Sequence, residues 1–312
     1  MHTALLAAAL LVGCLLAVQA SVNLQLNSAV GTPYGASAVQ LGVATGLLAV
    51  LAIAAGALGA LGRLPDVAPW HLLGGLASPL YITSGILLFP RLGALAAVGL
   101  FVTGQMFASL ALDLFGLLGL RQQDLNAGIF VGAVAVLAGI VVIIRGVKAA
   151  APPGVPGMSS PRRAGWLALG IVAGAGLPVQ GAVNARLRTQ LQEPVVVAAI
   201  SFAVATLTIA VVLLVLSATR RTPKPRIAPL GRMPWWGWLG GVCAAAYVTG
   251  TFLLIPEIGA AVTIALTVTG QQLTSALIDH RGLFRLPRRS LTKPRAAGLA
   301  LLIAGSLTIQ LV

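Results

Sequence analysis

Residues 70–117 recur without a gap as residues 236–283, with roughly 20 of 48 positions identical. Upstream, the 18–26 stretch matches 179–187, Val43-Ala44-Thr45 matches Val204-Ala205-Thr206, and Pro33 matches Pro194. A few extra residues then separate the two blocks in the second copy. Apolar runs long enough to cross a bilayer fall at about 4–24, 36–58, 70–89, 93–113, 126–146, 164–184, 195–217, 235–255, 259–278 and 296–312. Each copy therefore carries five runs, an odd number. A second copy that starts where the fifth span ended must enter the membrane from the opposite face. The expected fold is all-α and integral to the membrane. It has ten transmembrane helices as two inverted five-helix repeats, residues 1–148 and 164–312, joined by a Pro-, Gly- and Ser-rich linker at 149–163.

Charge supports lipid as the main solvent. Only 8% of the 312 residues are charged, too few to cover a water-soluble fold of this length. The net charge of +14 would suggest nucleic acid in a soluble protein. Here the basic residues sit in short runs between apolar stretches, so no nucleic-acid partner is expected. With ten spans, the odd-numbered loops hold 16 of the 20 Lys and Arg, including the clusters at 220–232 and 281–295. Only Arg63, Arg121, Arg186 and Arg188 fall on the other side. The bias predicts cytoplasmic odd loops, both termini outside, and a multi-pass protein of the cytoplasmic (inner) membrane.

The first run imitates a leader, and Leu11-Val12-Gly13-Cys14 imitates a lipoprotein box. Its start lacks a Lys or Arg, and the same helix recurs inside the chain, so it reads as a retained span. Cys14 and Cys243 lie in apolar runs without metal or disulfide spacing. His2, His71 and His280 have no second ligand at metal spacing, and no phosphate-binding Gly-rich loop with its Lys occurs. The sequence thus calls for no cofactor, no metal and no catalytic set.

Polar residues within spans are costly against lipid and so turn inward. Gln19 and Asn23 share a helix face, as do Gln180 and Asn184, and inversion is expected to bring the two pairs to face each other. Gln105 and Gln271 follow Gly104 and Gly270, which admit a neighbouring backbone. Tyr81 and Tyr247 sit mid-span, where their hydroxyls need a partner. These eight residues either line a substrate cavity or tie helices together, and side-chain amides serve both ends. Asp113 and Asp279 are candidates for ion or proton coupling, but they stand at helix ends near Arg121 and Arg281, where capping and ion pairing are cheap. Pro90 and Pro256 are expected in tight turns before the fourth helix of each half.

Several of these residues carry a family resemblance. The Gln-x-x-x-Asn pairs, Ala199-Ile200-Ser201-Phe202, Gly240-Gly241 with Tyr247, Ile255-Pro256-x-x-Gly259-Ala260, and Thr269-Gly270-Gln271 with Ile278-Asp279-x-x-Gly282 resemble the YdcZ family of the drug/metabolite transporter superfamily in its fused two-repeat form. The first half departs at Val39-Gln40-Leu41, where the Ser-Phe pair is missing. The resemblance implies a ten-helix bundle with a central cavity, and it speaks to fold and class more than to cargo. With the inverted repeat, the leading expectation is a secondary transporter working by alternating access, an exporter of a small metabolite or toxic organic compound. A membrane scaffold without transport is the alternative, and it predicts inner amides bonded only to each other. The expected partners are a small-molecule solute and the bilayer; monomer and homodimer both stay open. Cysteine labelling of intact cells tests the charge argument. Cysteines at 221 and 289 should react only with membrane-permeant reagents, and one at 188 with impermeant ones.

Overall fold

The computed structural model describes residues 2–119, 122, 124–149, 160–258 and 260–311, and no strand occurs among them. Most of the 149–163 linker, Arg121 and Gly259 lie outside the described residues. The α-helices are α1 (His2–Val30), α2 (Pro33–Ala54), α3 (Ala77–Leu92), α4 (Ala94–Leu114), α5 (Ala127–Ala149), α6 (Ser160–Leu191), α7 (Pro194–Ala218), α8 (Leu239–Ile258), α9 (Ala260–Arg281) and α10 (Lys293–Leu311). Seven helical spans among the described residues are long and apolar enough to cross a membrane, from Thr3–Val30 to Pro194–Ala218. Each α-helix coincides with one apolar run, but α1 and α6 continue well beyond theirs. Those last turns mix polar residues with the buried Leu26, Val30, Leu187 and Leu191, so hydropathy understates the helix.

Start signals are simple. Pro33 opens α2 and Pro194 opens α7, each at a first helical position where its missing N–H costs nothing. The expected proline turns do not form. Pro90 lies in the last turn of α3, and the chain reverses at Gly93, whose φ of 87° suits only a residue without a side chain. Pro256 likewise falls within the span of α8. Each Pro forgoes its own N–H bond to the carbonyl four residues back, and because it stands near the helix end no long continuation is disrupted.

Packing runs mainly between the two sequence copies. α1 lies on α8 and α9, while α6 lies on α3 and α4; α2 meets α7, and α5 meets α10. Exchanging each helix for its repeat counterpart maps this set onto itself. The close approaches repeat as well. A Cβ on Gly270 would stand 2.0 Å from Leu10 O, and one on Gly104 would stand 2.0 Å from Ile171 O. Along α5 and α10, Gly132 abuts Gly305, Gly139 abuts Gly298 and Gly146 abuts Arg295, so these two helices run antiparallel. α2 and α7 are also antiparallel: Thr45 and Thr206 hydroxyls bond at 2.9 Å, and Thr32 bonds Thr222 at 2.8 Å near the other end. Without hydrophobic driving force between helices in lipid, such small-residue contacts supply the van der Waals packing.

The connections collect at two ends. Arg226 donates to Ser28 O at the end of α1, Gln25 donates to Phe284 O after α9, Arg289 donates to Pro90 O, and Arg91 stacks on Trp166. The tracts around Arg221 and Arg289 thus share one face, called the basic face below. At the opposite face Arg63 donates to Leu191 O at the end of α6, and Arg186 donates to Leu118 O and Gly119 O. Arg63 and Arg226 each cap the carboxyl end of the other copy's first helix, where a cation is favoured.

Gly104→Leu is expected to lower stability by about 2–3 kcal/mol, because no side chain fits against the α6 backbone. Gly42, with open space where a Cβ would go, provides the control: Gly42→Ala should be neutral or slightly stabilising. Thermal unfolding in detergent compares the two.

Candidate functional site

The polar residues buried inside the bundle form two matching knots and a bridge. In the first knot, Asn23 Nδ2 donates to Gln40 Oε1 at 3.1 Å, and Gln40 Nε2 reaches Gly240 O at 3.5 Å. The Asn23 Oδ1 lies against Gly240, where a Cβ would come within 2.1 Å. In the second knot, Asn184 Nδ2 donates to Ser201 Oγ at 3.1 Å, and Asn184 Oδ1 lies against Gly74, at 2.2 Å from a Cβ position. Gln40 and Ser201 occupy equivalent repeat positions, so an amide in one copy serves where a hydroxyl serves in the other. Each Asn oxygen is left with only a glycine Cα–H, a weak partner.

The bridge joins the copies. Gln271 Nε2 of α9 donates to the Tyr81 hydroxyl of α3 at 2.7 Å, and the Tyr81 ring lies 4.7 Å from that of Phe101. Tyr247 sits close enough to Tyr81 and to the Thr267 hydroxyl to interact with both. Ser78 donates to Gln180 Oε1 at 2.8 Å. Gln19, Gln105, Gln180 and Gln271 are buried, as is Gln272. Gln19 Oε1, Gln105 Nε2 and both side-chain polar atoms of Gln272 have no hydrogen-bond partner among the described residues. The eight sequence-expected residues are therefore placed as follows. Seven are buried and Tyr247 is half-buried. The expectation that the two Gln-x-x-x-Asn pairs meet is not met for the asparagines. Each bonds within its own copy and abuts a glycine of the other, because the two lie at different depths: Asn23 is two residues from Gln25, which bonds Phe284 O at the basic face, and Asn184 is two residues from Arg186, which bonds Leu118 O at the opposite face.

The aspartates differ from expectation and from each other. Asp113 is half-buried at the end of α4. Asp279 is buried and partners not Arg281, which is exposed, but Arg295, at 2.7 Å and equally buried. The same carboxylate accepts from the N–H groups of Ala94 at 2.7 Å and Leu95 at 3.2 Å, capping α4. Arg295 also donates to the carbonyls of Arg289 and Ser290. Helices α4, α9 and α10 are thereby tied at the basic face. Burial lowers the Arg289 pKa from its ordinary value, with Asp279 opposing the shift and Arg295 adding to it. Gln40, Ser78, Thr267 and Arg295 were not singled out by sequence reasoning. For Gln40 and Arg295 a signal existed: both are polar residues at or inside an apolar run.

The YdcZ family profile, described as “Putative inner membrane exporter, YdcZ”, matches residues 4–142 and again residues 165–308. The chain belongs to this family. The two matched segments reproduce the two copies seen in the sequence, and with the apolar helices they make the protein a multi-pass inner-membrane transporter. No curated protein matches the chain. A solved structure described only as “Crystal structure of protein” aligns over 98% of this chain and 97% of its own, with a TM-score of 0.60 and 20% identity. That likeness concerns the fold alone.

Asp279→Asn is expected to cost about 3 kcal/mol, since it leaves Arg295 as an uncompensated buried charge. Replacing both partners by apolar residues (Asp279→Leu with Arg295→Met) should recover part of the loss. Unfolding midpoints in detergent measure both.

Proposed function

We propose that this YdcZ-family protein is a secondary transporter of ten spans, built from two inverted five-helix halves, 1–148 and 164–312. It moves a small solute outward by alternating access, one half rocking against the other around a mid-membrane site. The antiparallel course of α5 against α10, and of α2 against α7, supports the inversion. The Lys and Arg bias supports a cytoplasmic basic face with both termini outside.

The observation that carries the reading is the set of half-satisfied amides. Gln19, Asn23, Gln105, Asn184 and Gln272 keep buried atoms without a hydrogen-bond partner among the described residues. A purely structural network fares better fully bonded or replaced by apolar packing. Together with Tyr81, Gln180, Tyr247 and Gln271, these amides are suited to a solute that both donates and accepts hydrogen bonds. Among the described residues the buried charged side chains are Asp279 and Arg295, which neutralise each other at the basic face. The belt is therefore uncharged, and it suits a cargo without net charge. Asp279 serves as part of a closure on that face rather than as a proton carrier, because its oxygens are held by an arginine and a helix N-terminus.

Solutes that raise the thermal midpoint in detergent give the tracers for proteoliposome flux. Gln271→Leu combined with Tyr81→Phe should lower flux about tenfold or more at equal protein level, since it removes the inter-half bridge and its amide. Unchanged flux after Gln19→Leu combined with Gln180→Leu would take those two residues out of the pathway.

A further inference from the structure

Outside the belt, a groove of about 760 Å³ opens at the basic face between the end of α3 and the first turns of α6, lined by Arg91, Arg162, Gly165, Trp166 and Leu169. Its chemistry is divided. Arg91 and Arg162 are exposed and form a cationic rim, while Trp166 and Leu169 are half-buried and form an apolar wall. The Arg91 guanidinium lies 4.2 Å from the centre of the Trp166 ring, and one of its nitrogens donates to Leu87 O. That anchorage fixes a planar cation while leaving further N–H groups free for an oxyanion. Gly165 has nothing within 4 Å of where a Cβ would stand, so the floor is open. Beyond Leu169 the α6 surface continues with exposed Ile171 and Val172 toward the middle of the span.

The charge balance around the groove is one-sided. Of the six acidic residues, Asp66, Asp113, Asp124, Glu193 and Glu257 belong to helix ends or connections of the opposite face. The sixth, Asp279, is buried and taken up by Arg295 and the start of α4. No Asp or Glu occurs between Asp124 and Glu193, so the linker carries none to neutralise Arg91 and Arg162. Arg163, beside Arg162, is turned to Ile144 O. Two guanidinium groups thus face an apolar slot without a counter-ion among the described residues.

We infer that this groove is a binding site for the phosphate of an anionic phospholipid, whose headgroup meets Arg91 and Arg162 while the upper part of an acyl chain lies along Trp166 and Leu169. A basic pocket between helices at the membrane surface has the charge for such a headgroup, and an interfacial Trp has the shape for the glycerol and chain region. A free phosphate would use the rim and leave the apolar wall unused. The site stands apart from the amide belt, and the inference does not depend on the transported solute.

Native mass spectrometry of the full chain in detergent tests it, with phosphatidylglycerol, phosphatidylcholine and inorganic phosphate as separate probes. Phosphatidylglycerol should be retained in preference to phosphatidylcholine, and inorganic phosphate should not displace it. Arg91→Gln with Arg162→Gln should weaken phosphatidylglycerol binding about tenfold or more, with an unchanged unfolding midpoint because both side chains are exposed. Lys224→Gln with Arg232→Gln, on the same face but away from the groove, should leave it unchanged. Equal retention of the two lipids, or equal loss in both double variants, would overturn the site in favour of diffuse attraction. Displacement by inorganic phosphate would overturn the lipid assignment in favour of a free-anion site.

Discussion

Backbone pressed directly on backbone across the two sequence copies is the constraint on which the rest of the structure depends. Lipid offers helices little hydrophobic reason to associate, so they hold by close contact. Gly13 against Thr267 and Gly174 against Phe101 set the depth at which α1 meets α9 and α6 meets α4. That depth brings Asn23 onto Gly240, Asn184 onto Gly74, and Gln271 onto Tyr81. A side chain at any of these glycines would separate the helices and break the polar contacts with them. The polar interior is thus a product of the glycine pattern as much as of the amides themselves.

Much of this was legible in the chain. Apolar runs located each α-helix, since burial in lipid and burial against a neighbouring helix make the same demand on composition. The repeat located the cross-copy equivalences, down to Thr45 with Thr206. What the sequence withheld were partners set by three-dimensional register. Asp279 stands two residues from Arg281, yet its carboxylate turns to Arg295, because the chain after α9 folds back and carries Arg295 over it. Asn23 and Asn184 were expected to face each other, but inversion sends equivalent residues away from the span centre to opposite depths, Asn23 toward the basic face beside Gln25 and Asn184 toward the other face beside Arg186. Pro90 looked like a turn and is helical, because the reversal is made by Gly93. The candidate site was legible in its residue types and less so in its pairings.

Sequence divergence between the copies falls where the structure places unlike chemistry. Gln40 stands for Ser201, and its longer amide reaches Gly240 O, which a hydroxyl at that position would not. Gln272 adds an amide to one copy only. Asp279 caps α4 across the interface, while its counterpart Asp113 remains half-buried at a helix end. The two faces of the protein are consequently different objects. One is strongly cationic and fastened by a buried ion pair; the other holds most of the carboxylates.

The hydroxyl pair Thr45 and Thr206 carries this inequality to its smallest scale. A single hydrogen lies between two like oxygens 2.9 Å apart, so a pair related by two-fold exchange cannot be equivalent in its protons. Thr45 directs its own hydrogen to Leu41 O at 2.8 Å, which leaves Thr206 to supply the shared one. Even where the heavy atoms of the two copies come closest to mirroring one another's roles, the order of the hydrogens gives the molecule a sense of direction.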